Sequence, residues 1–376
     1  MKIVIISAAF PLRGGIAHSA GLLYKELKKE NDVEVITFSR QYPKLFFPGT
    51  SQTEDEDQSN KIPTNVILDS VNPLNWLNVS RLIINSNPDL VIFKHWMPFF
   101  APCYGFIAKR IRKKKIKLLA VCHNIIPHEK RPGDILLSKY FLKKMDYFVL
   151  LSDQVKKDLE SIITGVKSKV LPLPIFSIFG ESVNKKEAKS RLNLNQEKII
   201  LFFGFIRDYK GLDTLIEALE VVRRKIDVTL IVAGEFYSDE QKYISLIEKL
   251  NLQNSVILKK DFIPTMDVKY YFSAADVVVL PYKNATQSGI VQVAVNFEKP
   301  VIATNVGGLS EVIDDGISGF IVEKENPEEF ANAIIRFYDE NRENEFSANM
   351  KNLKEKYSWK NFAKGIFDLI NHRTFF

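Results

Sequence analysis

The sequence predicts an α/β protein built from two doubly wound parallel-sheet domains, and three observations carry that prediction. Short, β-branched apolar runs recur along the chain with segments of helical periodicity between them, the pattern of a parallel sheet covered by helices. The cycle restarts after Pro172-Leu173-Pro174, a stiff, linker-like stretch. A length of 376 residues with 46% hydrophobic content supplies two cores and exceeds the usual size of one domain.

In the first half, Lys2–Ser7 is a strand buried on both faces, followed by a loop with Gly14-Gly15 and a helical pattern through Leu22, Leu23 and Leu27. Val33–Phe38 reads as the next strand. Residues 39–65 carry Pro, Gly, Ser and the acidic patch Glu54–Asp57, which suggests a mobile insertion. Strands resume at Leu90–Phe93, Lys117–Val121 and Tyr147–Leu151. In the second half, strands are expected at Lys198–Phe203, Val228–Ala233, Ser255–Leu258, Val277–Pro281, Pro300–Thr304 and Gly319–Val322. Helical patterns separate them at Leu212–Arg223, Asp239–Leu250, Asp267–Ala274, Gly289–Phe297 and Pro327–Tyr338. Tyr357–Asn371, with Trp359, Phe362 and Phe367, reads as one more amphipathic helix.

Composition narrows the class. Cys103 and Cys122 cannot make a disulfide framework, and no Cys/His cluster suggests a structural metal, so a reducing cytoplasm fits. The N-terminal apolar run is short, broken by Pro11 and Arg13, and merges into a strand–loop–helix; it is not read as a signal peptide. Val91–Ala108 contains Lys94, His95, Pro98 and Pro102 and is no membrane span. The net charge of +7 is uneven: residues 1–175 hold 26 Lys and Arg against 16 Asp and Glu, or +10, and the remainder 26 against 29, or −3. Much of the excess lies in residues 109–117 and at Lys139, Lys143 and Lys144. A solvated helix end explains such a run, and so does docking on an anionic membrane surface, the inner face of the cell membrane being the expected place. No aromatic interleaving accompanies it, so nucleic acid is not an expected partner.

Three loops follow strand C-termini, where open α/β sheets bind ligands. Gly14-Gly15 lets backbone N–H groups approach a phosphate or sugar, although a tight turn needs the same residues. It is not a G-x-G-x-x-G fingerprint, which leaves a dinucleotide dehydrogenase without its main support. In Gly204-Phe205-Ile206-Arg207-Asp208-Tyr209-Lys210-Gly211, two cations on a strand-to-helix loop suit a diphosphate leaving group. As plain surface charges they would oppose the helix dipole, a conflict that a bound anion removes. Asn284-Ala285-Thr286-Gln287-Ser288-Gly289 places small polar residues before a helix, as a phosphate cradle or as a simple N-cap. On the other domain His95-Trp96 and His123-Asn124 end strands on the rim, with His128-Glu129 just beyond.

The ordered set resembles the GT-B fold, retaining glycosyltransferases of family 4. It rests on Gly14-Gly15-Ile16, His123-Asn124, Gly204 with Lys210-Gly211, Ala274-Ala275-Asp276-Val277 with Leu280-Pro281, and Lys299-Pro300-Val301-Ile302-Ala303-Thr304 with Gly307-Gly308, Glu311, Gly316 and Gly319. The resemblance implies two Rossmann-like domains facing across a cleft: residues 1–174 for the acceptor, 175–355 for the nucleotide sugar, and a last helix, 356–376, crossing back to the first domain. It implies that Arg207 and Lys210 hold the donor diphosphate, with Gly204, Ser288 and Gly289 completing the cradle. His123 would touch the donor sugar, Gly14 and Gly15 would lie beside the phosphates, and His95 and Trp96 would face a saccharide or lipid-linked saccharide acceptor.

Two departures stand out. The family's Glu-x7-Glu pair falls on Ala285 and Val293, where Thr286, Gln287 or Gln292 could replace the hydrogen bonds without a carboxylate. The Arg that often follows the first loop glycine is Phe205 here, with Arg207 two residues later. The expected chemistry is transfer of a hexosyl unit from a nucleotide-diphosphate sugar to an acceptor hydroxyl, in surface polysaccharide or glycolipid synthesis. Retention is implied by the resemblance alone, and neither metal nor other cofactor is expected, since the cationic Arg207 and Lys210 make a bound divalent metal unnecessary. The alternatives are a non-catalytic nucleotide-sugar-binding homologue and a nucleotide-sugar epimerase, which would need clustered proton-transfer residues.

Overall fold

The protein is described here from a computed structural model covering residues 1–43, 53, 61–127 and 131–371. The acidic patch Glu54–Asp57 and the His128-Glu129 pair lie outside those residues. The chain divides into two compact units: Met1–Pro174 together with the segment from Tyr357 onward, and Ile175–Lys356.

Unit 1 runs β1 (Lys2–Ile6), α1 (Gly15–Leu27), β2 (Asp32–Arg40), β3 (Asn65–Asp69), α2 (Pro73–Ser86), β4 (Leu90–His95), α3 (Ala101–Arg112), β5 (Lys117–Cys122), α4 (Asp134–Leu142), β6 (Tyr147–Leu150), α5 (Asp153–Ile162) and β7 (Lys167–Val170). The strands form one parallel sheet in the order β3-β2-β1-β4-β5-β6-β7. Central strands read as unbroken apolar runs because helices cover both faces; all of Leu90–Phe93 is buried. Helix starts are fixed where a short polar side chain closes them: Asn72 accepts from the N–H groups of Leu74 and Asn75 at α2, and Ser152 from Val155 at α5.

Unit 2 repeats the plan. α6 (Lys185–Arg191) leads to β8 (Ile199–Phe203), α7 (Leu212–Arg223), β9 (Thr229–Ala233), α8 (Glu240–Lys249), β10 (Val256–Lys259), α9 (Thr265–Ala274), β11 (Val277–Leu280), α10 (Gly289–Asn296), β12 (Val301–Thr304), β13 (Gly319–Val322), α11 (Pro327–Asp339) and α12 (Glu343–Lys356). The parallel order is β10-β9-β8-β11-β12-β13. Asp276, ahead of β11, is buried; its carboxylate accepts from the Ile199 N–H at 2.7 Å and the Tyr338 hydroxyl at 2.8 Å and pairs with Lys185. It ties three segments together at the N-terminal edge of the sheet, away from the ligand-side loops.

The last helix, α13 (Trp359–Ile370), belongs to unit 1, where it packs on α1, β6 and β7. Its apolar face, with Trp359, Phe362, Ile366 and Ile370, is buried, and Leu171 lies so close to Gly365 that a Cβ there would come within 2.5 Å.

In both sheets the order reverses beside the first strand. β1 lies between β2 and β4, and β8 between β9 and β11. Side chains diverge at such a point and leave a crevice at the strand C-termini, so the topology selects the loops after β1, β4, β8 and β11 as ligand sites. The loop after β5, which carries His123, lies on the same rim of unit 1.

Candidate active site

In unit 2, the loop leaving β8 is held open by backbone pairing. Gly204 N–H donates to Ala233 O, Ile206 N–H to Glu235 O and Tyr237 N–H to Ile206 O, each at 2.9 Å. Phe205 stacks on Tyr237 with ring centroids 4.6 Å apart, and the Arg207 guanidinium lies 5.0 Å from the Tyr237 ring centre. Arg207 is therefore shelved on an aromatic face at the loop surface. The chain then makes a short helical turn, Asp208–Lys210, and enters α7 through Gly211 at φ +69°. A Cβ on Gly211 would stand 2.0 Å from the Pro281 carbonyl, so this loop and the one after β11 can meet only with glycine here.

That closeness folds Lys210 inward. Its side chain is 8% exposed, and its ammonium is 5.6 Å from the Tyr282 ring centre. A Cβ on Gly204 would lie 3.3 Å from Lys210 Nζ and 3.2 Å from Ile290 Cδ1, so the amine converges on Gly204 and the first turn of α10. Among the described residues no carboxylate pairs with Lys210. Burial, helped by the nearby Arg207 charge, pushes its pKa down to about 7. The neighbouring Lys283 shows the contrast, since its amine bonds Asp213 at 2.8 Å. Lys210 is a desolvated amine whose charged form burial penalises.

The loop after β11 forms the opposite wall. Thr286, Ser288 and Gln292 are buried, and Gln292 Oε1 has no partner among the described residues. The backbone of Thr286 is fixed by Gly308, whose N–H donates to its carbonyl at 3.1 Å. Ser288 precedes α10 in extended conformation without a side-chain cap, its hydroxyl engaged instead with Tyr282. The first N–H groups of α10, from Gly289, therefore point onward without a side-chain acceptor. Ala285 and Val293, at the positions of the expected Glu pair, are both buried.

In unit 1, Gly14 (φ +100°) starts α1 without a side-chain cap, and neither Gly14 nor Gly15 has any atom within 4 Å of where a Cβ would stand. Next to this open loop end β4 and β5. His123 N–H donates to His95 O at 2.8 Å, and Asn124 Nδ2 reaches Trp96 O at 3.5 Å. His123 is buried, and its pKa is held well below the usual histidine range by burial first, then by Lys94 and His95, so the ring is neutral at pH 7. Trp96 is half-buried against Phe38, Phe100 and Tyr104.

The expectation for His95 needs correcting. It is fully buried, its ring is 5.2 Å from that of Phe141, and burial lowers its pKa to about 4. It lies beneath the rim, whereas Trp96 reaches it. Sequence reasoning also passed over Lys94, which is buried, bonds Ser19 Oγ and has its pKa pushed down to about 7 by burial. The signal was a lysine inside the apolar run of a central strand, where a charge demands a reason. Among the described residues, no group of three or more His, Cys, Asp and Glu side chains gathers as metal ligands.

Two doubly wound sheets with their ligand loops at the switch points define the GT-B class. Solved structures share this fold: Anabaena HepE, determined in complex with UDP-glucose, matches with a TM-score of 0.75 over 99% of this chain and 100% of that one, at 18% identity. The chain belongs to the group 1, family 4 glycosyltransferases; residues 184–370 match the description "Glycosyl transferases group 1" and residues 13–175 "Glycosyltransferase Family 4". Two uncharacterized glycosyltransferases of Methanocaldococcus jannaschii are similar to it. One is 25% identical over 383 residues, 97% of each chain; the other is 31% identical over 173 residues, 45% of this chain and 44% of that protein. The protein is a glycosyltransferase.

Proposed function

We propose that the protein transfers a hexosyl unit from a nucleotide-diphosphate sugar, with a UDP-hexose the first candidate, to a hydroxyl of a saccharide or lipid-linked saccharide acceptor. The carrying observation is Lys210, a buried amine without an anionic partner, converging with Gly204 and the open start of α10. A diphosphate bound there accepts hydrogen bonds from Lys210, Arg207 and the N–H groups at Ser288 and Gly289, all on unit 2. Thr286 and Gln287 in the same loop and Gln292 in the first turn of α10 offer neutral polar contacts to the ribose or sugar. The roles of His123, Gly14 and Gly15 toward the donor rest on the family resemblance; a neutral His123 can accept a hydrogen bond from a sugar hydroxyl or donate one to it. Trp96 supplies a flat apolar face of the kind that sugar rings stack on.

In the reaction, the acceptor oxygen forms a bond to the anomeric carbon as the bond from that carbon to the β-phosphate oxygen breaks. The electron pair of the broken bond stays on the diphosphate, and the acceptor proton passes to a phosphate oxygen. Lys210 and Arg207 stabilise the charge that builds on the leaving group, the task a divalent cation performs elsewhere. Retention of configuration and independence from metal are parts of this proposal, as is a role in surface polysaccharide or glycolipid synthesis. HepE was determined with UDP-glucose, which supports starting from UDP-hexoses.

A second reading is favoured by Ala285 and Val293: a chain that binds nucleotide sugars without turnover. Thermal shift and slow hydrolysis with UDP-, GDP-, ADP- and dTDP-hexoses separate the two. A donor that stabilises the protein and is hydrolysed by the wild type but not by Lys210→Ala supports transfer. Stabilisation with neither hydrolysis nor transfer to any of a panel of glycosides and lipid-linked sugars supports the binding reading; if no nucleotide sugar binds, the site is misplaced.

A further inference from the structure

The outward layer of unit 1 formed by α2, α3 and α4 combines two unusual features. Among the described residues ten large apolar side chains are exposed, and six belong to this layer or its entry turn: Val71, Leu74, Leu82, Ile135, Leu136 and Tyr140. Leu74 and Leu136 are 75% and 73% exposed, so they are stripped of protein contact rather than merely grazed by solvent. Scattered apolar residues are ordinary on a surface, but gathering on one face is not. The second feature is charge. Residues 73–86, 101–115 and 134–144 hold ten Lys and Arg against a single carboxylate, Asp134.

The three helices form one continuous face. Arg110 Nε bonds Ser80 Oγ at 2.9 Å, tying α3 to α2. The Tyr140 ring of α4 lies over Gly105 of α3, where a Cβ would come within 2.3 Å, and Lys144 Nζ sits 3.6 Å from the centre of that ring. Cations crowd the far end of the face: burial and then Lys109, Arg112 and Lys143 all lower the pKa of Lys144. Asp146 pairs with Arg112 at 3.7 Å, and Glu160 lines the same hollow as Lys139 and Lys143. A surface offering apolar side chains and cations together, with almost no acid, matches an anionic bilayer in both respects, because lipid supplies an apolar interior behind a layer of phosphate.

We propose that the α2–α4 face docks on a bilayer containing anionic lipid, with Leu74, Ile135 and Leu136 entering the headgroup boundary while Lys139, Lys143 and the basic end of α3 pair with lipid phosphates. α2 and α4 follow β3 and β5, so both helices begin at the C-terminal rim of the sheet that also carries Trp96 and His123. A bilayer on this face brings a lipid-anchored acceptor to that rim, a consequence that rests on the transferase reading, whereas docking itself does not. Among the described residues no helix is long and apolar enough to cross a membrane, so the contact is one of surface docking by these helices.

The test is flotation of the full chain with vesicles of phosphatidylcholine alone and of phosphatidylcholine mixed with phosphatidylglycerol, without any nucleotide sugar. Wild type should float with the mixed vesicles and stay behind with the neutral ones. Each cation near an anionic surface strengthens binding by roughly fivefold, so Lys139→Glu/Lys143→Glu/Lys144→Glu should weaken it by well over tenfold. Leu74→Ser/Leu136→Ser should weaken it about tenfold at unchanged charge. All of these positions are at the surface, and thermal denaturation checks that the variants remain folded. Equal binding to neutral and mixed vesicles, no binding to either, or a Leu74→Ser/Leu136→Ser variant that floats like wild type would overturn the proposal. So would a dimer in light scattering that the leucine substitutions dissolve, which would assign the face to a second copy of the chain. None of these readouts depends on activity, so a failed transferase reading leaves them interpretable.

Discussion

Replacing Lys210 by Met keeps the stem and removes the charge, and the structure fixes opposite signs for its effects on stability and on binding. Burial lowers the Lys210 pKa from 10.5 to about 7 in the free protein. Below pH 7 the fold carries the whole penalty of a buried charge, about 5 kcal/mol at 1.36 kcal/mol per pH step. Between pH 7 and 10.5 the unfolded chain binds more protons than the folded one, so the penalty fades as pH rises. Lys210→Met should therefore melt higher than wild type without ligand, by an amount largest near pH 6 and small above pH 10. Binding runs the other way. A diphosphate restores the charged amine, so the wild type should take up protons on binding UDP-glucose, more above pH 7 than below it. The variant should bind UDP-glucose about 30-fold to 1,000-fold more weakly, the worth of a buried charge-assisted contact of roughly 2–4 kcal/mol. Titration calorimetry in two buffers of different ionisation enthalpy reads affinity and proton uptake together. If Lys210→Met binds within threefold of wild type with the same proton uptake, the anion site is not at Lys210.

Three further outcomes are expected. Donor hydrolysis should persist in excess EDTA; loss of activity that Mg²⁺ or Mn²⁺ restores would refute the idea that Lys210 and Arg207 replace a metal. Gly211→Ala should cost about 2 kcal/mol or more in chemical denaturation, because φ is +69° and the new Cβ would meet Pro281 O at 2.0 Å; a neutral result would show that the two loops can part. Asp276→Ala should cost about 3–5 kcal/mol by leaving the Tyr338 hydroxyl and the Ile199 N–H without their acceptor and Lys185 with Glu343 alone, and a loss below 1 kcal/mol would mean that water replaces it.

The core strands were legible because burial on both faces leaves a plain apolar run, as at Leu90–Phe93 and Val277–Leu280. β3 and β7 were not, and for the converse reason. Both are sheet edges, and Lys167-Ser168-Lys169-Val170 is only half-buried, so it leaves no hydrophobic trace. α12 buries Phe346, Met350 and Leu353, a helical spacing diluted by nine charged or amide residues. In the site, Arg207, Lys210 and the Ser288 loop could be placed from their position after strands. That Lys210 turns inward while Lys283 finds Asp213 depends on the meeting of Gly211 with Pro281, seventy residues apart, which local sequence does not encode. The same holds for His95, since nothing local to it shows that Phe141 packs against its ring.

The return of α13 to unit 1 bears on how the protein is made. Unit 2 is one uninterrupted stretch of chain, while unit 1 awaits the segment after Tyr357 to cover α1, β6 and β7. During vectorial synthesis domains ordinarily complete themselves in order of appearance. Here the first to emerge is the last to be finished, with Leu171 and its neighbours uncovered until the ribosome has made Trp359–Ile370. A nascent chain stalled just before Tyr357 should therefore hold a protease-resistant second unit beside a first unit that is still readily cut.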